Sequence, residues 1–268
     1  MSTRAFVQRH PLTTYFGIAF LISWGSGLVM LAAKFVQEGS THSPDALLLF
    51  PILVVGVGLT GTILTGLAGG SRGLGDLFAR IRRWQVGAVW YAVALLIPPG
   101  LIMIVLLTLH TLASSEFVPN FFLLGILFGL FPGFFEEIGW MGWAFPQMQS
   151  KHSTLTASIT LGVLWWLWHM PVVDSLGAAS PHGAYWFPFF LAFGAVLTAM
   201  RVLIAWVYAN TQSLLLTQLM HASSTGSLVI LSPSHLSPAQ ETLWYAVYAG
   251  ALWLAVAIVT GIYGKRLV

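Results

Sequence analysis

Residues 86–112 read VGAVWYAVALLIPPGLIMIVLLTLHTL, and these 27 residues include no Asp, Glu, Lys or Arg. A bilayer core of ~30 Å is crossed by ~20 helical residues, so this stretch is long enough to span a membrane as one helix. The rest of the chain has the same character, because 57% of its 268 residues are hydrophobic and only 7% are charged. A soluble domain carries about 25% charged residues. The sequence therefore predicts an all-α protein embedded in a membrane.

Long uncharged segments recur along the whole chain and predict a single integral-membrane domain, residues 1–268, built as a polytopic helical bundle with about eight spans. Strands of a β-barrel would alternate polar and apolar residues, which runs of this length do not. Apart from loops 34–45 and 71–83, we expect very short connections, because irregular backbone in lipid has no water to bond. The predicted spans are 12–33, 46–70, 86–112, 120–145, 153–173, 184–209, 211–231 and 243–264.

The basic residues predict the orientation of the bundle. With a cytoplasmic N-terminus and eight spans, nine Lys and Arg residues fall on the inner side and only Lys34 falls on the outer side. Cytoplasmic loops carry the excess of basic residues, so we expect both termini in the cytoplasm. The nine residues are Arg4, Arg9, Arg72, Arg80, Arg82, Arg83, Lys151, Lys265 and Arg266.

Composition also excludes several classes of function. The chain has no cysteine, which excludes disulfides, iron–sulfur clusters, thiol catalysis and thiolate metal sites. Its 11 basic residues are dispersed among membrane spans and make no nucleic-acid-binding surface, so no nucleic-acid partner is expected. The lipid bilayer is the one partner that composition predicts directly.

Five ionisable residues fall inside the predicted spans: Glu136, Glu137, His169, Arg201 and His221. Ionisable groups at membrane depth are costly and are functional candidates by default. Arg201 lies near the cytoplasmic end of its span, where we expect its long side chain to snorkel to the surface. Two adjacent glutamates are harder to explain by structure alone, because like charges destabilise each other in a low dielectric.

Helical rise allows three of these residues to meet. At ~1.5 Å per residue, His221 lies roughly 16 Å into its span, and the depths of Glu136 and His169 are compatible with the same level. We expect the three side chains within ~10 Å of each other in an intramembrane cavity that faces the cytoplasm, since shared chemistry requires contact.

Polar residues near the outer ends of the spans have a simpler interpretation. Glu116, Asp174, His182 and Glu241 fall at span ends or in loops. Such positions are ordinarily solvated. We therefore expect all four side chains to be exposed to water.

Two kinds of hydrolytic site suit two histidines and a pair of glutamates. In the first, Glu136, His169 and His221 bind a divalent metal such as zinc, whose catalytic sites combine three N or O ligands with an open position. In the second, a carboxylate and an imidazole activate water without a metal. Successive helical residues diverge by ~100°, so only one of Glu136 and Glu137 can serve the water directly. No H-E-x-x-H stretch is present, which excludes the zincin arrangement.

Three ordered motifs carry a family resemblance. Residues 135–142 (FEEIGWMG), 165–171 (WWLWHMP) and 201–223 (RVLIAWVYANTQSLLLTQLMHAS) together resemble the CPBP (ABI) family of intramembrane proteases, which includes the Ras-converting CAAX endopeptidase. The resemblance covers about residues 120–230, the expected catalytic core, and any one motif is much less specific than the three in order. It implies a membrane-embedded endopeptidase, with or without a metal.

The resemblance also implies a role for each motif residue. Glu136 corresponds to the general base towards water, and Glu137 to its partner carboxylate. His169 and His221 correspond to the second and third motifs, where they would hold the water or a metal and stabilise the oxyanion. Trp165 stands four residues before His169, where Phe is commoner.

Two positions depart from the family pattern: Met141 stands in place of an arginine, and Thr225 in place of an asparagine. Thr225 is expected to assist His221 at the oxyanion. Residues four apart are neighbours on a helix, so the family arginine would lie beside Glu137. Unless Arg201 or another basic group substitutes, we expect Glu137 to be often protonated, with slower hydrolysis and weaker metal binding. Met141→Arg is then expected to raise activity.

The function predicted from the sequence is an endopeptidase of the CPBP/CAAX-protease type in the plasma membrane of a bacterium. Its partner is a peptide or protein substrate, with a prenylated CAAX tail as substrate only where the organism prenylates proteins. An alternative is a relative that has lost hydrolysis and acts in peptide binding, in bacteriocin immunity or as a membrane scaffold. A proton-relay transporter is a third class, but the inverted repeat typical of transporters is missing.

Overall fold

A computed structural model describes residues 2–37 and 46–268, so residues 38–45 of the predicted loop 34–45 lie outside the described residues. Within the described ranges the regular structure is entirely helical. Ten α-helices are described: α1 Thr3–Arg9, α2 Pro11–Gln37, α3 Ala46–Ile81, α4 Ala88–Leu112, α5 Gly125–Gly139, α6 Phe145–Gln149, α7 Thr154–Trp168, α8 Trp186–Thr211, α9 Leu214–Leu231 and α10 Pro238–Tyr263. A π-helix, Trp140–Ala144, joins α5 to α6, and three short 3₁₀ helices cover Met170–Ser175, Gly183–Tyr185 and Gly264–Arg266.

The multi-pass membrane architecture is confirmed, although the helices differ in length. Among the described residues, six helical stretches are long and apolar enough to cross a membrane: Pro11–Val29, Phe50–Ile81, Ala88–Leu112, Gly183–Thr211, Leu214–Leu231 and Pro238–Arg266. The predicted spans 120–145 and 153–173 are also helical. Helix α5 continues through the π-helix into α6, so its helical path covers residues 125–149, whereas α7 has only 15 residues. At ~1.5 Å per residue α7 rises roughly 22 Å, which is less than the ~30 Å of the bilayer core.

Helix α8 lies at the centre of the bundle. Within its most apolar stretch 83% of the residues are buried, against 17% for the corresponding stretch of α2. It packs against α7 and α10 along most of its length. A residue in the middle of α8 is therefore surrounded by protein rather than by lipid.

The predicted loop 71–83 is largely helical, which the sequence did not indicate. Helix α3 continues to Ile81 beyond a kink at Gly70, whose φ of 61° favours glycine. After the kink, Leu77 is buried against the bundle while Phe78 is exposed. An amphipathic turn of this kind stabilises helix where loop was expected, and it brings Arg80 beneath the bundle.

Basic residues gather at one end of the bundle. Arg80 bonds to Tyr208 near the end of α8, and the carbonyl of Leu267 accepts a hydrogen bond from the side chain of Asn210 at 2.7 Å. The carbonyl of Arg83 accepts a hydrogen bond from Ser213 at 2.5 Å. This clustering agrees with the basic asymmetry of the sequence. That this end is the cytoplasmic one stays a prediction.

The expectation that the remaining connections are very short is wrong for residues 113–124 and 169–185. Irregular backbone is tolerated in the second of these segments because a buried carboxylate satisfies it. Glu241 accepts hydrogen bonds from the backbone N–H groups of Ala178 and Ala179 at 2.9 and 2.7 Å. Buried backbone N–H groups need hydrogen-bond acceptors. Here the acceptor is the carboxylate of Glu241, which lies in the first turn of α10.

Two residues expected to be solvated are in fact buried. His182 is 1% exposed and Glu241 is 2% exposed. The Nε2 atom of His182 lies 3.3 Å from the Glu241 carboxylate, and its ring stacks on Phe189 with centroids 3.8 Å apart. Asp174 fits the expectation better, because its side chain is 56% exposed, although it lies 3.5 Å from His182 Nδ1. Span-end position alone therefore did not predict exposure, since the 169–185 segment folds back over α10.

Glycines let α5 approach α9 very closely. A Cβ at Gly129 would collide with the carbonyl oxygen of Ala222 and lie 2.7 Å from Gly226 Cα. Gly125 and Gly133, one turn away on either side, face α9 in the same way. Small residues at this spacing are the usual means of close helix packing in membranes. The contact sets α5, with its two glutamates, directly against the helix that carries His221.

Candidate active site

Glu137 and Arg201 form a fully buried ion pair. Arg201 Nη1 lies 2.8 and 2.7 Å from the two carboxylate oxygens, and both side chains are 0% exposed. The expectation that Arg201 snorkels to the surface is therefore wrong. Arg201 is the sixteenth of the 26 residues of α8. Because α8 is the central helix, neighbouring helices separate the guanidinium from water.

The ion pair also overturns the expectation that Glu137 lacks a basic partner. Met141 does occupy the position four residues after Glu137, and its side chain is 0% exposed. The guanidinium instead reaches Glu137 from another helix, α8. Because arginine stays charged in proteins, the carboxylate form of Glu137 has its counter-ion without any change at Met141. The prediction that Met141→Arg raises activity loses its premise.

A second partner of Glu137 is His221 on α9. The Nδ1 atom of His221 lies 2.7 Å from Glu137 Oε1, and the imidazole is 2% exposed. The paired carboxylate can only accept, so Nδ1 is the donor and the proton is assigned there. Nε2 is then the atom of His221 that is available for chemistry, and Glu137 fixes the tautomer and the ring orientation.

Glu136 is held at one oxygen by two indoles. Its Oε2 accepts hydrogen bonds from Trp140 Nε1 at 3.1 Å and from Trp165 Nε1 at 2.9 Å, and the residue is 2% exposed. Trp140 lies four residues along the same helical path, where helical geometry brings side chains together. Because Oε2 already accepts two hydrogen bonds, Oε1 is the oxygen available to accept a proton.

Trp165 links the parts of the site. Its ring lies edge-on to His169 and His221, with centroids 5.4 and 5.0 Å apart, and the Arg201 guanidinium lies 4.1 Å over it as a cation–π contact. Together with its bond to Glu136, these contacts gather both imidazoles and the carboxylate around one indole. In the sequence, Trp165 stands out only as a departure from the commoner Phe. The signal it missed is that Trp, unlike Phe, carries an N–H donor.

His169 ends α7 and has a defined tautomer. Its Nδ1 lies 2.8 Å from the Trp165 carbonyl oxygen, which can only accept, so Nδ1 donates and Nε2 is left free. Hydrogen bonds from α2 hold this end of α7 in place. Ser23 Oγ donates to the Trp168 carbonyl at 2.9 Å, and Trp24 Nε1 donates to the Leu167 carbonyl at 3.2 Å.

Two further expectations concern Thr225 and the cavity. Thr225 lies one turn beyond His221 on α9 and is partly exposed, and among the described side chains no hydrogen bond joins it to the site residues. A groove of about 560 Å³ lies between α3 and α5, but its lining residues do not include Glu136, His169 or His221. The lining is Phe50, Pro51, Leu127, Phe128, Leu130, Phe131, Phe134 and Phe135. A cavity around the site that faces the cytoplasm stays a prediction.

The three predicted metal ligands have suitable chemistry but not a suitable arrangement. Glu136, His169 and His221 have suitable chemistry, since each imidazole directs its Nδ1 to an oxygen, as metal-binding histidines commonly do. Even so, in the part of the chain that is described, no group of three His, Cys, Asp or Glu side chains is arranged to hold a metal ion. The donors fit a metal by chemistry but are not arranged to meet around one ion.

Fold and site together define a polytopic helical membrane protein with a buried carboxylate, imidazole and guanidinium centre. Residues 118–227, which contain that whole centre, match the type II CAAX prenyl endopeptidase Rce1-like family. The chain is also 32% identical over 158 residues to the CAAX prenyl protease 2 of Methanococcus maripaludis, a match that covers 58% of this chain and 53% of that relative. The chain thus matches about half the length of this curated relative. The resemblance to the CPBP/CAAX protease family is confirmed for the segment that carries the site.

Proposed function

We propose that the protein is a membrane endopeptidase of the CAAX-protease type in which Glu136 activates water. The proposal rests on the way in which the carboxylate of Glu136 is hydrogen-bonded. Two indoles fix one oxygen of a buried carboxylate and leave the other available to a water molecule. A positioned carboxylate of this kind suits a general base, and the family match covers this residue.

The reaction begins at Oε1 of Glu136. The carboxylate takes a proton from water as the water oxygen attacks the carbonyl carbon of the scissile peptide bond, which gives a tetrahedral intermediate. Nε2 of His169 accepts a hydrogen bond from the same water and orients it. When the intermediate collapses, the C–N bond breaks and Glu136 returns its proton to the leaving amine.

His221 would stabilise the negative oxygen of the intermediate. When Nε2 carries a proton as well as Nδ1, the ring donates from Nδ1 to Glu137 and from Nε2 to the oxyanion, and a donor aimed at developing charge contributes ~2.7–4 kcal/mol in comparable sites. Glu137 holds the ring through Nδ1, and Arg201 keeps Glu137 oriented. Thr225 can add a hydroxyl donor from the same face of α9.

The relatives support a proposal for the substrate class. The matched family is described as prenyl endopeptidases, and the similar archaeal protein is a CAAX prenyl protease. We propose a prenylated CAAX peptide as substrate where the organism prenylates proteins, and another membrane-proximal peptide where it does not.

The alternative of a catalytically impaired relative rests on Met141 and Thr225. The ion pair of Glu137 with Arg201 now removes the first reason for that alternative.

A comparison of two glutamate variants tests the proposal. Purified protein in detergent is incubated with farnesylated and unmodified CAAX peptides and with an unbiased peptide library, before and after treatment with a metal chelator. Glu136→Gln keeps the shape of the side chain but cannot take the proton, so we expect no cleavage. Glu116→Gln, an exposed matched control, should cleave like the unmodified protein. Loss of cleavage in the chelated protein would assign the water to a metal instead.

Equal turnover by Glu136→Gln and Glu116→Gln would reject Glu136 as the base. Failure of the unmodified protein to cleave any peptide, with retained peptide binding, would favour the impaired relative.

A further inference from the structure

The guanidinium of Arg80 donates hydrogen bonds to two acceptors, and it has no part in the proposed reaction. Its Nη1 donates to the Tyr208 hydroxyl at 2.9 Å, and its Nη2 donates to the backbone carbonyl of Gly142 at 2.8 Å. The residue lies on the part of α3 that follows the Gly70 kink and is half-buried there. In the sequence, Arg80 stands out only as one of the basic residues predicted on the inner side.

The two acceptors belong to the two elements that form the central ion pair. Gly142 lies in the π-helix Trp140–Ala144, which directly follows the glutamates on α5. Tyr208 lies on α8, seven residues after Arg201, and two turns of helix place such residues on the same face. Arg80 therefore connects the continuation of the Glu137 helix to the Arg201 helix.

At Gly142 a close steric contact accompanies the hydrogen bond from Arg80. Leu77, one turn before Arg80 and 1% exposed, packs against Gly142 so closely that a Cβ there would lie 2.9 Å from Leu77 Cδ1. A π-helix departs from the usual hydrogen-bond register and often occurs at functional sites. An outside donor to one of its carbonyls stabilises that register.

We infer that Arg80 is a positioning residue for the proposed hydrolysis. Its guanidinium fork fixes the π-helix relative to α8, and thereby holds Glu136 and the Glu137–Arg201 pair in their working geometry. The inference rests on the proposed function. Arginine suits this role because its planar fork serves two separate acceptors, whereas a lysine ammonium is a single point charge on a flexible stem.

The test compares Arg80→Lys with Arg82→Lys. Arg82 lies on the same helical end and is exposed, and among the described residues its side chain bonds only to the Phe78 carbonyl of its own segment, at 3.4 Å. Small displacements of catalytic groups can cost up to about a hundredfold in rate. We expect Arg80→Lys to lower kcat by roughly ten- to a hundredfold with KM unchanged within about twofold. Arg82→Lys should alter neither constant, and Tyr208→Phe, which removes one arm, should give an intermediate loss of kcat.

Amide hydrogen exchange over residues 140–149 supplies a readout that is independent of activity. Exchange there should be faster in Arg80→Lys than in Arg82→Lys. Equal kcat values for the two lysine variants would overturn the inference, and so would a change confined to KM, which would place Arg80 against the substrate.

If Arg80→Lys fails to fold, Tyr208→Phe decides on the same criteria. If the unmodified protein cleaves no peptide, the proposed function fails by itself. Hydrogen exchange then still tests whether Arg80 holds the π-helix against α8. Equal exchange in the two variants overturns the inference, and faster exchange in Arg80→Lys supports it.

Discussion

At the scale of single residues, one arginine and one tryptophan organise the site more than the motif residues alone would suggest. Arg201 neutralises Glu137 from a different helix, and Trp165 touches Glu136, both histidines and Arg201. Neither role follows from helical spacing along one segment. Both depend on which faces of α7 and α8 meet α5, and this packing is decided by tertiary structure.

Trp165→Phe separates the indole N–H from the ring. Phenylalanine keeps an aromatic face under Arg201 but cannot donate to Glu136, so one of the two bonds at Oε2 is lost. A hydrogen bond to a charged group is worth ~1.5–3 kcal/mol, so we expect a roughly ten- to hundredfold fall in kcat/KM with folding retained. Peptide cleavage measures this effect. Trp166→Phe is the matched control, because the buried Trp166 N–H has no hydrogen-bond partner among the described residues; an equal loss in both variants would assign no role to the Trp165 N–H.

Met141→Arg is expected to be neutral or harmful, contrary to the prediction made from the family pattern. Glu137 already has its guanidinium, and Met141 is completely buried, so a longer charged side chain must displace packed neighbours. Overpacking of this kind typically costs ~1–3 kcal/mol. Thermal unfolding and peptide cleavage measure the two effects, with Met141→Leu as the volume-conserving control. Higher activity in Met141→Arg would show that the Arg201 pair is an incomplete substitute.

At the scale of elements, close helix packing decides where the functional groups meet. Gly162 lets α7 approach α8, since a Cβ there would lie 2.7 Å from Thr198 Cα and 3.2 Å from Arg201 Cβ. The glycines of α5 do the same towards α9. The helices that carry Trp165, Arg201, Glu137 and His221 are thus drawn together by the absence of side chains at a few positions.

Gly129→Ala tests the α5–α9 contact with a single added carbon. The new Cβ would meet backbone atoms of Ala222 and Gly226, which cannot rotate away, so the helices must separate. We expect a loss of ~1–3 kcal/mol in the free energy of unfolding. Gly100→Ala is the control, because a Cβ at Gly100 meets nothing within 4 Å. Unfolding in detergent followed by circular dichroism compares the two; equal stability would show that α5 and α9 are not packed as closely as described.

At the scale of the whole molecule, the sequence predicted the architecture well because membrane burial leaves a direct record in composition. Six of the predicted spans correspond to long apolar helices, and the ordered motifs located the segment that the family match covers. What could not be predicted depends on contacts between distant segments. His182 and Glu241 are buried because the 169–185 segment folds over α10. The helix at 71–81 is stabilised because Leu77 packs in the interior of the bundle.

In the proposed reaction, Glu136 directs a water molecule onto a peptide bond. The most direct measurement is a single-turnover reaction in ¹⁸O-labelled water, with mass spectrometry of the new carboxyl group. The unmodified protein should place one solvent oxygen in that carboxyl, and Glu136→Gln should form no labelled product in the same time. Labelled product formed by Glu136→Gln at the rate of the unmodified protein would contradict the role of Glu136 as the general base.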